Sequence, residues 1–202
     1  MNGIQLPVTI RPQRLVQPRL DLYYPVIEGL GNQVTQQRMN HAIIRLVYQL
    51  IGQQGYYQNH MTQISGYYEV KTNEKGILSL SIYNFAYSGG AHGLTVQKSI
   101  TFDVKTGRIY QLKDLFKPNA DYVKRLSDLI KQQIKDRDIT LLGEFDAIKP
   151  DQDFYIADKT LVIYFQLYEL VAYAFGFPYF PITVYQIQDI IDEQGPLGIT
   201  MY

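Results

Sequence analysis

Two segments of the chain place apolar residues at the three- and four-residue spacing of an amphipathic helix. Asn32 has the side chain of a helix N-cap, and Gly52 favours a helix end. The first segment therefore predicts a helix over residues 33–51, and the second predicts one over about 120–137. The apolar stripe of the first helix consists of Met39, Ala42, Ile43, Leu46, Val47, Leu50 and Ile51. That of the second consists of Val123, Leu126, Leu129, Ile130 and Ile134.

A second periodicity, in which successive side chains alternate between the two faces of a sheet, indicates strands. Residues 64–71 and 77–87 flank Asn73-Glu74-Lys75-Gly76, which is a favourable turn sequence, and so predict a hairpin. In the second arm, alternation places Leu78, Leu80 and Ile82 toward the core.

The other apolar runs predict shorter elements. An extended arm over 7–19 leads to a strand at about 19–24 that Pro25 stops. Residues 94–104 and 108–110 predict another hairpin across 105–107. Later in the chain, the pattern predicts strands at 154–156, 161–167 and 182–185 and a short terminal helix at 187–191.

The order of these elements is typical of the α+β class, because strands and helices do not alternate strictly as in a parallel α/β sheet. Consecutive hairpins imply antiparallel pairing, so we expect antiparallel sheets packed against two main helices. We expect an N-terminal α+β lobe over 1–110 and a C-terminal α+β lobe over 111–202, together forming one compact unit.

The composition excludes several classes of function. Apolar residues make up 46% of the chain and charged residues 19%, as in a folded globular protein. Nineteen basic residues balance nineteen acidic ones, which argues against a nucleic-acid partner. The lack of cysteine excludes disulfides, Cys-ligated metals and thiol nucleophiles. No apolar run reaches the ~20 residues of a membrane span.

Histidine spacing and glycine motifs indicate neither a metal site nor a cofactor. His41, His60 and His92 do not lie at the three- or four-residue spacing of helical metal ligands, and no HExxH sequence occurs. The chain also lacks the glycine patterns of phosphate and dinucleotide loops. We therefore predict no metal and no cofactor.

Tyrosine is the unusual component, with eighteen tyrosines, nine phenylalanines and no tryptophan. Aromatic residues suit half-buried strands, and a high strand content accounts for most of them. The alternative is a ligand surface, because a ring with a polar tip suits sugar or protein recognition.

The sequence Ser88-Gly89-Gly90-Ala91-His92-Gly93 is the clearest candidate site. Its glycines allow positive φ and a close approach by other groups. A bulge or bend between two strands, with His92 hydrogen-bonded locally, is favoured over catalysis. We assign no catalytic residue and predict a ligand-binding surface formed by Tyr83, Tyr87, Gly89, Gly90 and His92.

Four motifs in combination resemble a known family. SGGAHG, FDVKTGRIYQLKDLF, YFQLYELVAYAFGFP and PITVYQIQDII occur in this order, and the similarity runs over about residues 20–192. The chain resembles the small α+β domains of the RsiV anti-sigma factor and of the region preceding the catalytic domain of the PdaC peptidoglycan deacetylase. The resemblance implies a non-catalytic, extracytoplasmic binding or sensing module. It also implies a lysozyme-like protein or peptidoglycan as partner.

Three hypotheses for the function remain. The first is a non-catalytic recognition module that binds a protein or a cell-wall glycan through a Tyr-rich surface around 83–93. The second is a cytoplasmic structural or interaction protein. The third is a wall-polymer hydrolase in which His92 and a carboxylate such as Asp103 act as acid and base. The resemblance favours an extracytoplasmic location, whereas the first twenty residues, which lack a signal-peptide run, favour the cytoplasm.

Overall fold

The structure is a computed structural model that describes residues 7–201. The chain divides into two units, Met1–Ile109 and Tyr110–Tyr202. The first contains a five-stranded sheet and a long helix, and the second contains a three-stranded sheet and two helices. The predicted α+β class, with mostly antiparallel sheets and two main helices, is confirmed.

The sheet of the N-terminal unit follows the order of its strands along the chain, β1-β2-β3-β4-β5. Neighbouring strands are antiparallel, except that β2 and β3 pair in parallel over Leu20–Leu22 and Ile64–Gly66. This pair is parallel because helix α1 (Gln33–Gln53) connects the two strands as a crossover. The strands are β1 (Thr9–Gln17), β2 (Leu20–Glu28), β3 (Gln63–Glu74), β4 (Ile77–Tyr87) and β5 (Leu94–Asp103).

Helix α1 covers one face of this sheet. Asn32 caps its N-terminus, as predicted, by accepting the backbone N–H groups of Val34 and Thr35. The predicted end at Gly52 is wrong, because the helix continues to Gln53. The first residue after the helix with positive φ is Gly55. The predicted stripe is confirmed: its members pack into one apolar cluster with residues of the sheet's inner face.

The predicted strand end at Pro25 is also wrong, because β2 runs through this residue to Glu28. Pro25 lies directly opposite Pro12 in the β1–β2 hairpin. Two prolines can face each other in a non-hydrogen-bonded pair, since neither residue needs an N–H group toward its partner there. The pairing of β2 with β3 has already ended at Leu22, so the other edge of β2 needs no Pro25 N–H either.

The β3–β4 hairpin has the predicted turn, with Lys75 and Gly76 both at positive φ. Leu78, Leu80 and Ile82 lie in the core, as alternation predicts. Ser79 and Ser81 on the opposite face of β4 are buried as well. The Ser79 hydroxyl forms a hydrogen bond of 2.8 Å with the Thr101 hydroxyl of β5, and the Ser81 hydroxyl forms one of the same length with that of Ser99.

The predicted hairpin arm at 108–110 is reduced to a single bridge between Phe102 and Ile109. The backbone leaves β5 at a turn in which Asp103 accepts the N–H groups of Lys105 and Thr106. This side-chain turn takes the place of regular strand pairing.

The C-terminal unit pairs its sheet in the order β6-β7-β8. Its strands and helices are α2 (Tyr122–Asp136), β6 (Phe154–Ala157), β7 (Thr160–Tyr164), β8 (Tyr179–Thr183) and α3 (Pro196–Met201). The predicted strand at 161–167 ends early, at Tyr164, where its pairing with β8 also ends. Tyr168, four residues later, adopts positive φ.

Two further boundaries in this unit were predicted wrongly. Strand β8 ends at Thr183, because Thr183 and Gln186 form a capping box that starts a 3-10 turn. Residues 187–191 do not form the terminal helix; Ile191 instead bridges to Phe116, and the last helix is α3.

Candidate recognition surface

The glycine-rich segment forms the connection between β4 and β5. Gly89 and Gly90 adopt φ of 86° and 114°, which turns the chain sharply. The Tyr87 hydroxyl donates to the Gly90 carbonyl at 3.0 Å, and His92 Nδ1 lies 3.0 Å from the Gly93 carbonyl oxygen. The segment is therefore a bend with local hydrogen bonds.

Close contacts leave no room for a side chain at Gly93. A Cβ atom at this position would lie 2.3 Å from Phe85 Cζ and 2.6 Å from the Ala86 carbonyl oxygen. The end of the bend thus packs against the aromatic ring of Phe85, which holds both in place.

Tyr83 and Tyr87 lie on the same face of β4, opposite the face that α1 covers, but they differ in accessibility. Tyr87 is 36% exposed, whereas Tyr83 is 5% exposed. Tyr83 stacks on Tyr67 with ring centroids 4.8 Å apart, and its hydroxyl donates to Glu69 at 2.9 Å. The structure therefore brings Tyr87, Gly89, Gly90 and His92 together at one end of the sheet, with Tyr83 buried farther along the strand.

The sheet register adds residues that the sequence motifs do not identify. Val16 pairs with Asp21, Asp21 with Ser65, and Ser65 with Phe85, so these four side chains form one row across β1, β2, β3 and β4. Phe85 and Val16, at the two ends of the row, are exposed. Tyr23 and Tyr67, on the same face, are exposed as well.

This row borders a groove of about 340 Å³, which we call the outer groove. Phe85, Tyr87 and Val16 supply its apolar walls, and Asp21 and Ser65 supply polar groups. Its full lining is Val16, Gln17, Arg19, Leu20, Asp21, Gln63, Ile64, Ser65, Phe85 and Tyr87. Aromatic walls with a few convergent polar groups are typical of small-ligand sites.

Asp21 is ionised within the outer groove. Arg14 donates two hydrogen bonds to its carboxylate, at 2.8 and 2.7 Å, and these hold the pKa of Asp21 below its usual range. The Arg14 guanidinium also lies 5.7 Å from the centre of the Tyr23 ring. The groove therefore presents a fixed hydrogen-bond acceptor rather than a proton donor.

The β1–β2 turn is held at the edge of the groove by contacts to the 55–62 connection. Arg19, at a φ of 67°, donates to the Thr62 carbonyl at 2.7 Å and lies 5.1 Å from the centre of the Tyr56 ring. The Tyr56 hydroxyl donates to the Pro18 carbonyl at 2.6 Å. These contacts position the turn relative to the start of β3.

A second cavity, of about 420 Å³, lies next to the bend, on the face of the sheet that α1 covers. Gln54 crosses this end of the unit, since its Nε2 donates to the carbonyls of Asn84 and Leu94 at 3.0 and 3.1 Å. One side chain at the end of α1 thus ties together the strands on both sides of the bend.

The pairing of His92 with Asp103 as acid and base is wrong. His92 precedes β5 and Asp103 is its last residue, so the strand separates them by roughly 30 Å. Asp103 is instead used in the turn that follows β5.

Among residues 7–201, no three metal-ligating side chains cluster to form a metal site. None of the helices in this part of the chain has the length and apolarity needed to cross a bilayer.

Comparison with known proteins gives two family matches in succession. Residues 15–95 match the family described as deacetylase PdaC, and residues 113–185 match the protein family of unknown function DUF3298. The chain is 29% identical over 147 residues to the peptidoglycan-N-acetylmuramic acid deacetylase PdaC of Bacillus subtilis (strain 168). The match covers 68% of this chain and 32% of that protein, so the chain spans about a third of the relative's length.

Two solved structures share the fold. A DUF3298 family member from Bacteroides fragilis NCTC 9343 has a TM-score of 0.68 at 15% identity, covering 98% of this chain and 97% of that one. A DUF3298 family protein from Pseudomonas aeruginosa PAO1 has a TM-score of 0.67 at 14% identity, covering 93% and 95%. The resemblance to PdaC predicted from the motifs is confirmed: a match to the PdaC family is followed along the chain by a match to DUF3298.

Proposed function

We propose that the chain is a non-catalytic recognition module that binds a cell-wall glycan in the outer groove. The observation that carries this proposal is the row of Val16, Asp21, Ser65 and Phe85, which places apolar walls and hydrogen-bonding groups on one exposed sheet face.

The chemistry of the groove suits a sugar. Aromatic rings such as Phe85 and Tyr87 pack against the C–H faces of a pyranose, while carboxylate, hydroxyl and amide groups bind its hydroxyls. The similar Bacillus protein is named for a peptidoglycan sugar, N-acetylmuramic acid, which supports a wall glycan as the ligand class.

The same residues support binding over catalysis. The carboxylate in the groove, Asp21, is held by two hydrogen bonds from Arg14 and is poorly suited to donate a proton. His92 is separated from Asp103 by the length of β5. The predicted surface of Tyr83, Tyr87, Gly89, Gly90 and His92 is retained in the proposal, with Tyr83 supporting the sheet and Tyr87 facing the ligand.

The test is binding of the purified chain to peptidoglycan sacculi and, by calorimetry, to a soluble N-acetylglucosamine–N-acetylmuramic acid tetrasaccharide. We expect Phe85→Ala and Tyr87→Ala each to weaken binding about tenfold, since each removes a stacking ring worth about 1–1.5 kcal/mol. Tyr185→Ala, at an exposed tyrosine of the C-terminal unit, is the matched control. Absence of saturable binding by the unmodified chain, or unchanged binding by both groove variants, would overturn the proposal.

A protein ligand is the second candidate, because exposed aromatic residues beyond the groove also mark protein interfaces. Tyr23 and Tyr67 are exposed on this face but do not line the outer groove. Tyr23→Ala and Tyr67→Ala should leave tetrasaccharide binding unchanged. If the chain binds lysozyme and these two variants lose that binding, while the tetrasaccharide does not bind, the face recognises a protein and the glycan proposal is wrong.

A further inference from the structure

The zero net charge of the whole chain conceals opposite charges in its two units. Met1–Ile109 contains ten Lys and Arg residues against five Asp and Glu residues, a net charge of +5. Tyr110–Tyr202 contains nine against fourteen, a net charge of −5. The charge balance of the complete sequence therefore describes neither unit.

Within the N-terminal unit, four of the five carboxylates are engaged by residues outside α1. Glu28 pairs with Arg11 at 3.2 Å, Asp21 with Arg14 at 2.7 Å, and Glu69 with Lys71. Asp103 accepts two backbone N–H groups in the turn after β5. The three ion pairs neutralise basic residues of strands β1 and β3, and none of the four contacts involves a side chain of α1.

Helix α1 carries positive charge without any acidic residue. Residues 33–53 contain no Asp or Glu, and Arg38, His41 and Arg45 follow one another at three- and four-residue spacing, so they lie along one side of the helix. Arg38 is held at the C-terminal end of β5, where it donates to the Thr106 carbonyl at 2.9 Å.

Arg45 lines a groove of about 260 Å³ between α1 and β5, which we call the helix-side groove. Arg45 and Gln49 supply side-chain N–H donors, and Leu46, Ile100 and the exposed Ile109 supply an apolar surface. The full lining is Ala42, Arg45, Leu46, Gln49, Ser99, Ile100 and Ile109. The outer groove has a different lining, from Val16 to Tyr87.

We propose that the helix-side groove binds an oxyanion, a carboxylate or a phosphate monoester, that is joined to a short apolar chain. A guanidinium binds such groups through two parallel N–H bonds, and Gln49 offers a further donor nearby. The apolar chain covers Leu46, Ile100 and Ile109. This site is independent of glycan binding in the outer groove.

The test is an NMR titration of the full chain with three six-carbon probes, hexanoate, hexyl phosphate and the neutral hexanol. We expect saturable shifts of the backbone amides of Arg45, Gln49, Ile100 and Ile109 with either anion. Binding of the neutral probe should be at least tenfold weaker. The affinities of the two anions, compared with each other, identify the preferred head group.

Substitutions separate a specific site from general attraction. Arg45→Gln should weaken binding of the anions at least tenfold, and Arg45→Lys should weaken it less, because the charge remains while the paired donors are lost. Arg11→Gln changes the net charge equally at a distant ion pair and should have no effect. Equal loss with Arg11→Gln and Arg45→Gln, equal binding of hexanol, or shifts that do not saturate would each overturn the proposal.

Discussion

The side-chain amide of Asn40 makes both of the hydrogen bonds that a neighbouring strand would make with Ile27. Its Oδ1 accepts the Ile27 N–H at 2.8 Å, and its Nδ2 donates to the Ile27 carbonyl at 2.9 Å. Asn73 does the same for Val8, with both distances at 2.9 Å. The two amides thus complete the backbone hydrogen bonding at the open end of the β1–β2 hairpin, where β2 is no longer paired with β3.

Removing this amide should destabilise the N-terminal unit. Asn40→Ala leaves the partly buried N–H and carbonyl of Ile27 without the amide, so we expect the free energy of unfolding to fall by about 1–3 kcal/mol. Asn40→Asp keeps an acceptor but sets a carboxylate oxygen against the Ile27 carbonyl oxygen. This variant should be no more stable than Asn40→Ala. Urea unfolding measures both, with Gln37→Ala on the exposed side of α1 as the control. A loss no greater than that of the control would show that the amide contributes nothing.

A methyl group at Gly93 should disturb the outer groove from behind. Because the Cβ of Gly93→Ala would lie 2.3 Å from Phe85 Cζ, the ring must move or the bend must shift. We expect a loss of about 1–3 kcal/mol in stability and weaker ligand binding at Phe85. Thermal unfolding and calorimetry check the two effects. Gly31→Ala, whose Cβ would meet no atom within 4 Å, should leave both unchanged.

Glu69 should make the stability of the unit depend on pH in the acidic range. Burial raises the pKa of the Glu69 carboxyl, but hydrogen bonds from Lys71 and Tyr83 outweigh it and leave the pKa below its usual value of 4.5. The ionised form therefore stabilises the fold at neutral pH, and this contribution is lost as the pH falls through the lowered pKa.

Glu69→Gln measures that contribution. The variant should be less stable than the unmodified chain at pH 7 by less than about 1 kcal/mol, because the half-exposed carboxylate is screened by solvent. Chemical unfolding from pH 7 to pH 3 should show the difference shrinking toward the acid end. A difference of constant size across this range would contradict the assignment.

The contact between Tyr56 and the β1–β2 turn should influence binding through the position of Arg19. Tyr56→Phe removes the 2.6 Å hydrogen bond to the Pro18 carbonyl while the ring beneath Arg19 remains. We expect a loss of about 1 kcal/mol in stability and a modest decrease in affinity at the outer groove. Tyr57→Phe, at an exposed neighbour, serves as the control in both measurements. Wild-type stability in Tyr56→Phe would show that the hydrogen bond does not hold the turn.

Local sequence was sufficient for features that depend on neighbours within one turn or one strand. The cap at Asn32, the stripe of α1 and the turn at Lys75-Gly76 were all predicted from spacing and side-chain type. The bend at 88–93 was predicted from its glycines, and the resemblance to PdaC from its motifs. Such features follow from backbone sterics and short-range hydrogen bonds, which the sequence states directly.

Other features depended on pairing between distant segments. Pro25 remains in a strand because Pro12 lies opposite it. Tyr83 is buried, whereas Tyr67 beside it is exposed. The row of Val16, Asp21, Ser65 and Phe85 joins four strands through their register, which no local pattern specifies. The sequence by itself therefore determined the class, the two main helices and the bend. Only the tertiary structure decided which side chains meet at the outer groove, because inter-strand register depends on contacts between residues far apart in the chain.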